Sequence, residues 1–141
     1  MSRLLKIALT QYGLKEVPGT KNNPEIMKYF DIGGHTWVQG DETAWCSAAM
    51  NWVANEAGYE YSGKLNARSW LNMGMKVDNI EDADIVVFWR ESPTSWKGHI
   101  GIPVNDDGDY IWTLGGNQSN MFKISAYPKE RKLAYIKLYP Q

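Results

Sequence analysis

Cysteine and histidine are scarce in this chain, which has one cysteine and two histidines among 141 residues. A single cysteine cannot form an internal disulfide, and the sequence has no Cys/His cluster with the spacing of a zinc site. We therefore expect neither a metal site nor a cofactor. Chemistry that needs a nucleophile and a base must draw on Cys46 and on His35 or His99.

Excess charge and long apolar runs are also missing. The net charge is −1 with no long basic run, so the composition gives no reason to expect nucleic acid as a partner. No stretch approaches the length of a membrane span. The segment Met1–Lys6 lacks the apolar core and the cleavage site of a signal peptide, so we expect neither export by a signal peptide nor membrane insertion.

Aromatic residues, in contrast, are abundant, with seven Trp and eight Tyr. Most of them are expected in the core, and the rest suit the wall of a groove because Trp and Tyr combine large contact area with a polar tip. The length and a hydrophobic share of 43% fit one soluble domain that spans residues 1–141.

The first half of the chain has helical patterns and the second half has strand patterns. The sequence predicts helices over 2–12, from Pro24, from 44 to Gly58 and over 66–73. After Gly74, runs rich in β-branched and aromatic residues predict strands over 84–89, 98–104, 110–114, 121–126 and 133–138. This order predicts an α+β domain, with N-terminal helices packed on a C-terminal antiparallel sheet of about five to six strands.

Cys46 lies where the third of these helices begins. Asp41 and Thr43 are N-cap candidates because their side-chain oxygens can accept the amide hydrogens of a first turn. In that turn, the positive end of the helix dipole favours the thiolate form of a cysteine. The alternative interpretation of Cys46 is a small buried hydrophobic residue.

A nucleophilic cysteine needs a general base and a group that orients the base. His99 begins a strand and can face the helix start, whereas His35 lies in a glycine-rich loop that would hold a base poorly. A hairpin that turns near Asp107 returns residues 115–117 to the side of His99, since 99 and 115 are equally distant from 107. An amide oxygen there can fix the imidazole tautomer, and we prefer Asn117 over the alternative, Gln118.

Two further groups of residues have candidate roles. Trp37, Trp45 and Trp96 lie close in sequence to the catalytic segments and are predicted to bind substrate, although Trp45 also suits the core. The acidic run 105–109 resembles half of a calcium loop, but no bidentate Glu follows at the required spacing. Its Asp-Gly pair is typical of a hairpin turn, which is the interpretation we adopt, with no metal.

Several tracts resemble, in order along nearly the whole chain, one branch of the NlpC/P60–CHAP superfamily that occurs in phage lysins and related cell-wall hydrolases. The tracts are Leu14–Gly19, Asn22–Pro24, Asp41–Ala48, Ala67–Leu71, Gly98–Gly101 and Leu114–Ser119. The resemblance implies a papain-like fold and a cysteine peptidase or amidase that acts on the peptide part of peptidoglycan. This sequence departs from the family pattern at Ala83-Asp84, where the family commonly has Gly-Asp.

Carried over to this sequence, the resemblance implies that Cys46 is the nucleophile, His99 the base and Asn117 the polar third residue. The Cys46 amide would be one oxyanion donor, and a second would come from 39–43. We expect a monomeric phage endolysin that is made in the host cytoplasm and reaches the periplasm and cell wall through a holin-type export step. The alternatives are a secreted antibacterial effector with an immunity protein, and a non-catalytic wall-binding module.

Overall fold

The fold is α+β, as the sequence predicts, with helices first and an antiparallel sheet after them. The computed structural model describes residues 2–15, 24–32, 34 and 45–141. The helices are α1 (Arg3–Leu9), α2 (Pro24–Asp31) and α3 (Cys46–Ala57), with 3₁₀ segments at Ala67–Asn72, Ile80–Asp82 and Lys129–Arg131. The strands are β1 (Gly74–Val77), β2 (Ile85–Trp89), β3 (Gly98–Asp106), β4 (Tyr110–Gln118), β5 (Met121–Pro128) and β6 (Lys132–Leu138).

The six strands form one sheet in the order β1-β6-β2-β3-β4-β5, and every neighbouring pair is antiparallel. Five of the strands match predicted ones, with ends that differ by a few residues. β1 was not predicted, because Gly74 was expected to close a helix and instead begins this edge strand. Its four residues, half of them exposed, are too few to show an alternating pattern.

Local sequence explains where the helices begin and end. Ser2 caps α1, because its Oγ accepts the amide hydrogen of Leu5 at 3.1 Å. Pro24 occupies the first position of α2, where its missing N–H has no intrahelical partner to lose. Gly58 ends α3 in a left-handed conformation with φ of 86°. α1 is shorter than the predicted 2–12 helix, and the predicted 66–73 helix is a 3₁₀ segment.

The sheet has a different cluster of apolar side chains on each face. Ile85 and Val87 join the main core, which also holds the buried side chains of the three helices. Val86 and Phe88 belong to a smaller cluster with Ile111 and Tyr135. Successive side chains of a strand point to opposite faces, so the helices cover one face of the sheet.

The β3–β4 hairpin turns through the acidic run, and its carboxylates accept hydrogen bonds within the protein. Asp107 Oδ1 accepts the amide hydrogens of Asp109 at 3.0 Å and Tyr110 at 2.8 Å. Asp106 Oδ2 lies 2.8 Å from both Lys129 Nζ and Tyr135 Oη. The prediction of a hairpin turn here is confirmed. In the described part of the chain no cluster of three or more His, Cys, Asp or Glu side chains could hold a metal ion, and no helix could span a membrane.

Candidate active site around Cys46 and His99

Cys46 is the first residue of α3 and lines a cleft of about 460 Å³. The N-cap position belongs to Trp45, whose side chain makes no capping hydrogen bond. The predicted caps, Asp41 and Thr43, lie outside the described residues, as do His35 and the 39–43 segment that was expected to supply an oxyanion donor. The prediction that Cys46 lies in the first helical turn is confirmed.

The Cys46 thiol is buried, and burial raises its pKa above the usual value. The backbone amides of Ile100, Ser47 and Cys46 itself and the positive charge of Arg90 oppose that shift without cancelling it. The amides at the helix start act in the predicted direction, toward the thiolate, but desolvation outweighs them, so the pKa of Cys46 lies above its usual value. Cys46 rests as a neutral thiol at neutral pH.

His99 lies in β3 and is only 4% exposed. Its ring stacks on Tyr127 with 4.7 Å between ring centroids, and on Phe88 with 6.5 Å. Burial lowers the pKa of His99 to about 4, although its hydrogen bond to Gln118 acts in the opposite direction. The imidazole is consequently neutral at neutral pH, which is the form that can accept a proton.

Gln118 is the residue that orients His99. Its side-chain Oε1 lies 2.8 Å from His99 Nε2. Its Nε2 donates to the backbone carbonyls of Thr113, at 3.1 Å, and Lys123. Because the amide nitrogen is committed to these two acceptors, the oxygen must face the imidazole, and His99 Nε2 carries the proton and donates it. His99 Nδ1 is then the nitrogen with a free lone pair.

Asn117, the preferred third residue, does not contact His99 by a hydrogen bond in the described structure. Its backbone has φ of 58°, and the β4–β5 register shifts between Gly115 and Gln118. The prediction assumes a regular β3–β4 ladder, but that ladder shifts between Pro103 and Asn105, and the side chain that faces the imidazole is Gln118. Asn117 instead lines a second cavity, of about 300 Å³, beside His99. The alternative third residue is thus the one that the structure pairs with His99.

Cys46 and His99 lie on either side of the beginning of β3. The thiol is near the backbone amide of Ile100, whose side chain joins the main core, while the His99 ring joins the opposite face. No hydrogen bond joins the Cys46 thiol to the His99 ring in the structure as described. Cys46 lines the 460 Å³ cleft, and His99 lines the 300 Å³ cavity. Arg90 and Arg131 line both of these spaces.

The three predicted substrate-binding tryptophans have different outcomes. Trp45 is fully buried and stacks on Tyr29, with ring centroids 6.0 Å apart, so a substrate-binding role for it is wrong. Its ring packs against Gly116, where a Cβ atom would overlap the indole. Trp96 is 72% exposed and lines the Cys46 cleft, a position that suits substrate contact. Trp37 lies outside the described residues.

Arg68 holds the loop that forms one wall of the cleft. Its guanidinium donates to three backbone carbonyls of the β2–β3 loop: Lys97 at 2.9 Å, Pro93 at 2.7 Å and Ser92 at 2.9 Å. These bonds fix the segment that carries Trp96 and leads into β3. Sequence reasoning gave Arg68 no role, although it falls within the tract 67–71 that carries the family resemblance.

Polar residues of α3 hold the opposite wall. Ser47 Oγ donates to the Lys64 carbonyl at 2.7 Å and accepts from Trp70 Nε1 at 2.8 Å. Asn51 Nδ2 donates to the same carbonyl at 3.1 Å, and its Oδ1 accepts the Gly63 amide hydrogen. Each of these buried polar side chains has a partner, so the segment before Ala67 is tied to the helix that carries Cys46.

Comparisons of this chain with protein-family models, with curated proteins and with solved structures found no match.

Proposed function

We propose that the protein is a peptidoglycan hydrolase, a papain-like cysteine endopeptidase or amidase of the phage-endolysin type that cleaves an amide bond of the stem peptide. The observation that carries the proposal is the His99–Gln118 hydrogen bond, in which the amide is held by two backbone carbonyls. A buried imidazole with one fixed tautomer lies on β3, beside the Ile100 amide that contacts the Cys46 thiol, and these residues are the parts of a Cys-His-amide site. The substrate class rests on the sequence resemblance alone.

The mechanism follows from the protonation states of the two groups. His99 Nδ1 accepts the Cys46 proton as the sulfur attacks the carbonyl carbon of the amide, so the ion pair forms during the reaction rather than before it. Gln118 stabilises the resulting imidazolium, because its side-chain oxygen accepts a hydrogen bond from Nε2–H throughout the reaction. This requires Sγ and Nδ1 to approach each other when substrate binds, and catalytic hydrogen bonds are often long in free enzymes.

The remaining steps use the same residues. The Cys46 backbone N–H at the start of α3 is a donor for the oxyanion of the tetrahedral intermediate, and removal of one such donor costs about 3 kcal/mol in other enzymes. His99 then protonates the leaving amine, the C–N bond breaks, and a thioester remains on Cys46. Water, deprotonated by His99, attacks the thioester and releases the acid and the thiol.

Digestion of purified peptidoglycan sacculi tests this function. We expect new amino groups to appear with new carboxyl groups while the reducing ends of the glycan stay constant, and mass spectrometry of the soluble fragments identifies the amide bond. Release of reducing sugars without amines, or release of nothing above the rate of a heat-inactivated sample, would refute the proposal.

A further inference from the structure

Arg90 follows directly after β2, at the mouth of the cleft. Its backbone N–H donates to the Lys97 carbonyl at 3.3 Å, which closes the base of the β2–β3 loop. Its side chain is exposed and lines both the Cys46 cleft and the His99 cavity. The positive charge of Arg90 acts on Cys46, His99 and Tyr127, and in each case its contribution is toward a lower pKa, although burial leaves the pKa of Cys46 and of Tyr127 above the usual value.

Arg131 reaches the same cleft from a different part of the chain, the segment just before β6. The pairing of Phe88 with Lys132 brings the end of the 3₁₀ segment Lys129–Arg131 beside the end of β2. The guanidinium carbon of Arg131 lies 4.8 Å from the centroid of the Trp89 ring, which supports the side chain by a cation–π contact. Arg131 also lines both cavities.

Neither guanidinium has a carboxylate partner among the described residues. The ion pairs there join Lys28 to Glu25, Lys97 to Glu91 and Lys129 to Asp106. Glu91 is the only described acid that lines either cavity, and its Oε1 already accepts from Lys97 at 2.7 Å. Two cations without a carboxylate partner in the described part of the chain therefore line the space in which a substrate of Cys46 must lie.

We propose that Arg90 and Arg131 form an anion subsite that binds a carboxylate of the substrate peptide, on a residue next to the amide that Cys46 attacks. The inference rests on the proposed hydrolase function for the identity of the peptide. A guanidinium presents a rigid fork of N–H donors that matches a carboxylate in two parallel hydrogen bonds. The protein would thus select acidic stem peptides over those in which the same carboxyl group is amidated.

Alkylation of Cys46 tests the subsite without any substrate. Iodoacetate and iodoacetamide both alkylate sulfur through a methylene carbon, but iodoacetate is an anion and iodoacetamide is neutral. At Cys46 we expect the rate constant for iodoacetate, divided by that for iodoacetamide, to exceed the same ratio for glutathione by about tenfold. The reason is that a positively charged cleft concentrates anions by about 10-fold or more. Arg90→Gln and Arg131→Gln should each lower the ratio, whereas Arg3→Gln, which removes an exposed arginine on α1, should leave it unchanged. A ratio equal to that of glutathione, or one that neither cleft variant lowers, would overturn the subsite.

Hydrolysis of two matched peptides tests the selectivity. The peptides differ only in a free carboxyl or a carboxamide on the residue next to the scissile amide. We expect kcat/KM to favour the acid by about tenfold or more, since a hydrogen bond to a charged group is stronger than one to a neutral amide. Arg90→Gln and Arg131→Gln should lower that preference, because each slows cleavage of the acid more than cleavage of the carboxamide.

The two assays separate the inference from the function on which it rests. If neither peptide is cleaved while Cys46 still prefers iodoacetate, the hydrolase proposal fails and the anion subsite stands. If both peptides are cleaved at equal rates by the wild type, or if the two cleft variants slow both peptides equally, the carboxylate subsite is wrong and the hydrolase stands.

Discussion

At the scale of single residues, the site depends on which atom of one buried amide faces the imidazole. Gln118 Nε2 donates to two backbone carbonyls, so the side-chain oxygen must face His99. His99 Nε2 then carries the hydrogen that this oxygen accepts, and the lone pair is on Nδ1. Asn117, one position earlier, has neither restraint. Hydrogen bonds on the far side of the ring therefore determine which nitrogen would accept the Cys46 proton in the proposed reaction.

Replacement of Gln118 tests this assignment against its neighbour. Gln118→Ala should lower kcat by about 10²–10⁴-fold, since loss of the group that fixes a catalytic histidine has effects of that size. It should also lower the free energy of unfolding by about 1–3 kcal/mol, because buried polar groups lose their partners. Asn117→Ala is the matched control, with a much smaller effect on kcat. A larger loss of kcat in Asn117→Ala than in Gln118→Ala would reverse the assignment.

At the scale of elements, Arg68 joins the 3₁₀ segment Ala67–Asn72 to the β2–β3 loop. Three of its N–H groups donate to carbonyls of that loop, and its Cγ also packs near Gly98, where a Cβ atom would lie 3.3 Å away. The wall of the cleft that carries Trp96 is thus held from outside by one side chain.

Arg68→Gln should loosen this loop while the sheet stays intact. We expect KM to rise by about tenfold with a smaller change in kcat, since three hydrogen bonds of about 0.5–1.5 kcal/mol each position the wall. Limited proteolysis should cut between residues 91 and 97 faster than in the wild type. Arg3→Gln again supplies the matched control. Unchanged KM and an unchanged cleavage pattern would show that the loop does not need Arg68.

The sequence predicts the elements better than it predicts the contacts between them. The apolar period of α3 and the β-branched runs of β2 and β3 are local signals, and these elements form where they are predicted. The third residue is predicted one position too early because counting from a turn assumes regular ladders. The β3–β4 ladder shifts between Pro103 and Asn105, and the β4–β5 ladder shifts again between Gly115 and Gln118. Arg90 and Arg131 are 41 positions apart in the numbering, and only the β2–β6 pairing brings them to one cleft.

At the scale of the whole molecule, the burial of His99 couples folding to pH. The pKa of this imidazole is about 4 in the folded protein, against 6.5 for an ordinary histidine. Between these values the unfolded chain binds a proton that the folded chain does not. The free energy of unfolding is therefore expected to fall as the pH drops from about 6.5 toward about 4 and to lose nothing further from this group below that range.

Denaturant unfolding at a series of pH values measures this coupling. The wild type should lose stability through the window from pH 6.5 to 4, and His99→Gln should remove the part of that slope that one histidine contributes. His35→Gln, which replaces the only other histidine, controls for a general effect of losing an imidazole. The coupling would be absent if wild type and His99→Gln kept the same slope.

The most direct test of the whole account is release of stem-peptide fragments from purified peptidoglycan by wild type and by Cys46→Ala. The substitution removes one sulfur atom from a buried site, so circular dichroism and the thermal midpoint should show that the variant keeps its fold. The account predicts that the wild type releases amines and peptide fragments and that Cys46→Ala releases them at least about 10³-fold more slowly, in line with losses of catalytic nucleophiles elsewhere. Equal release by the two proteins would contradict it.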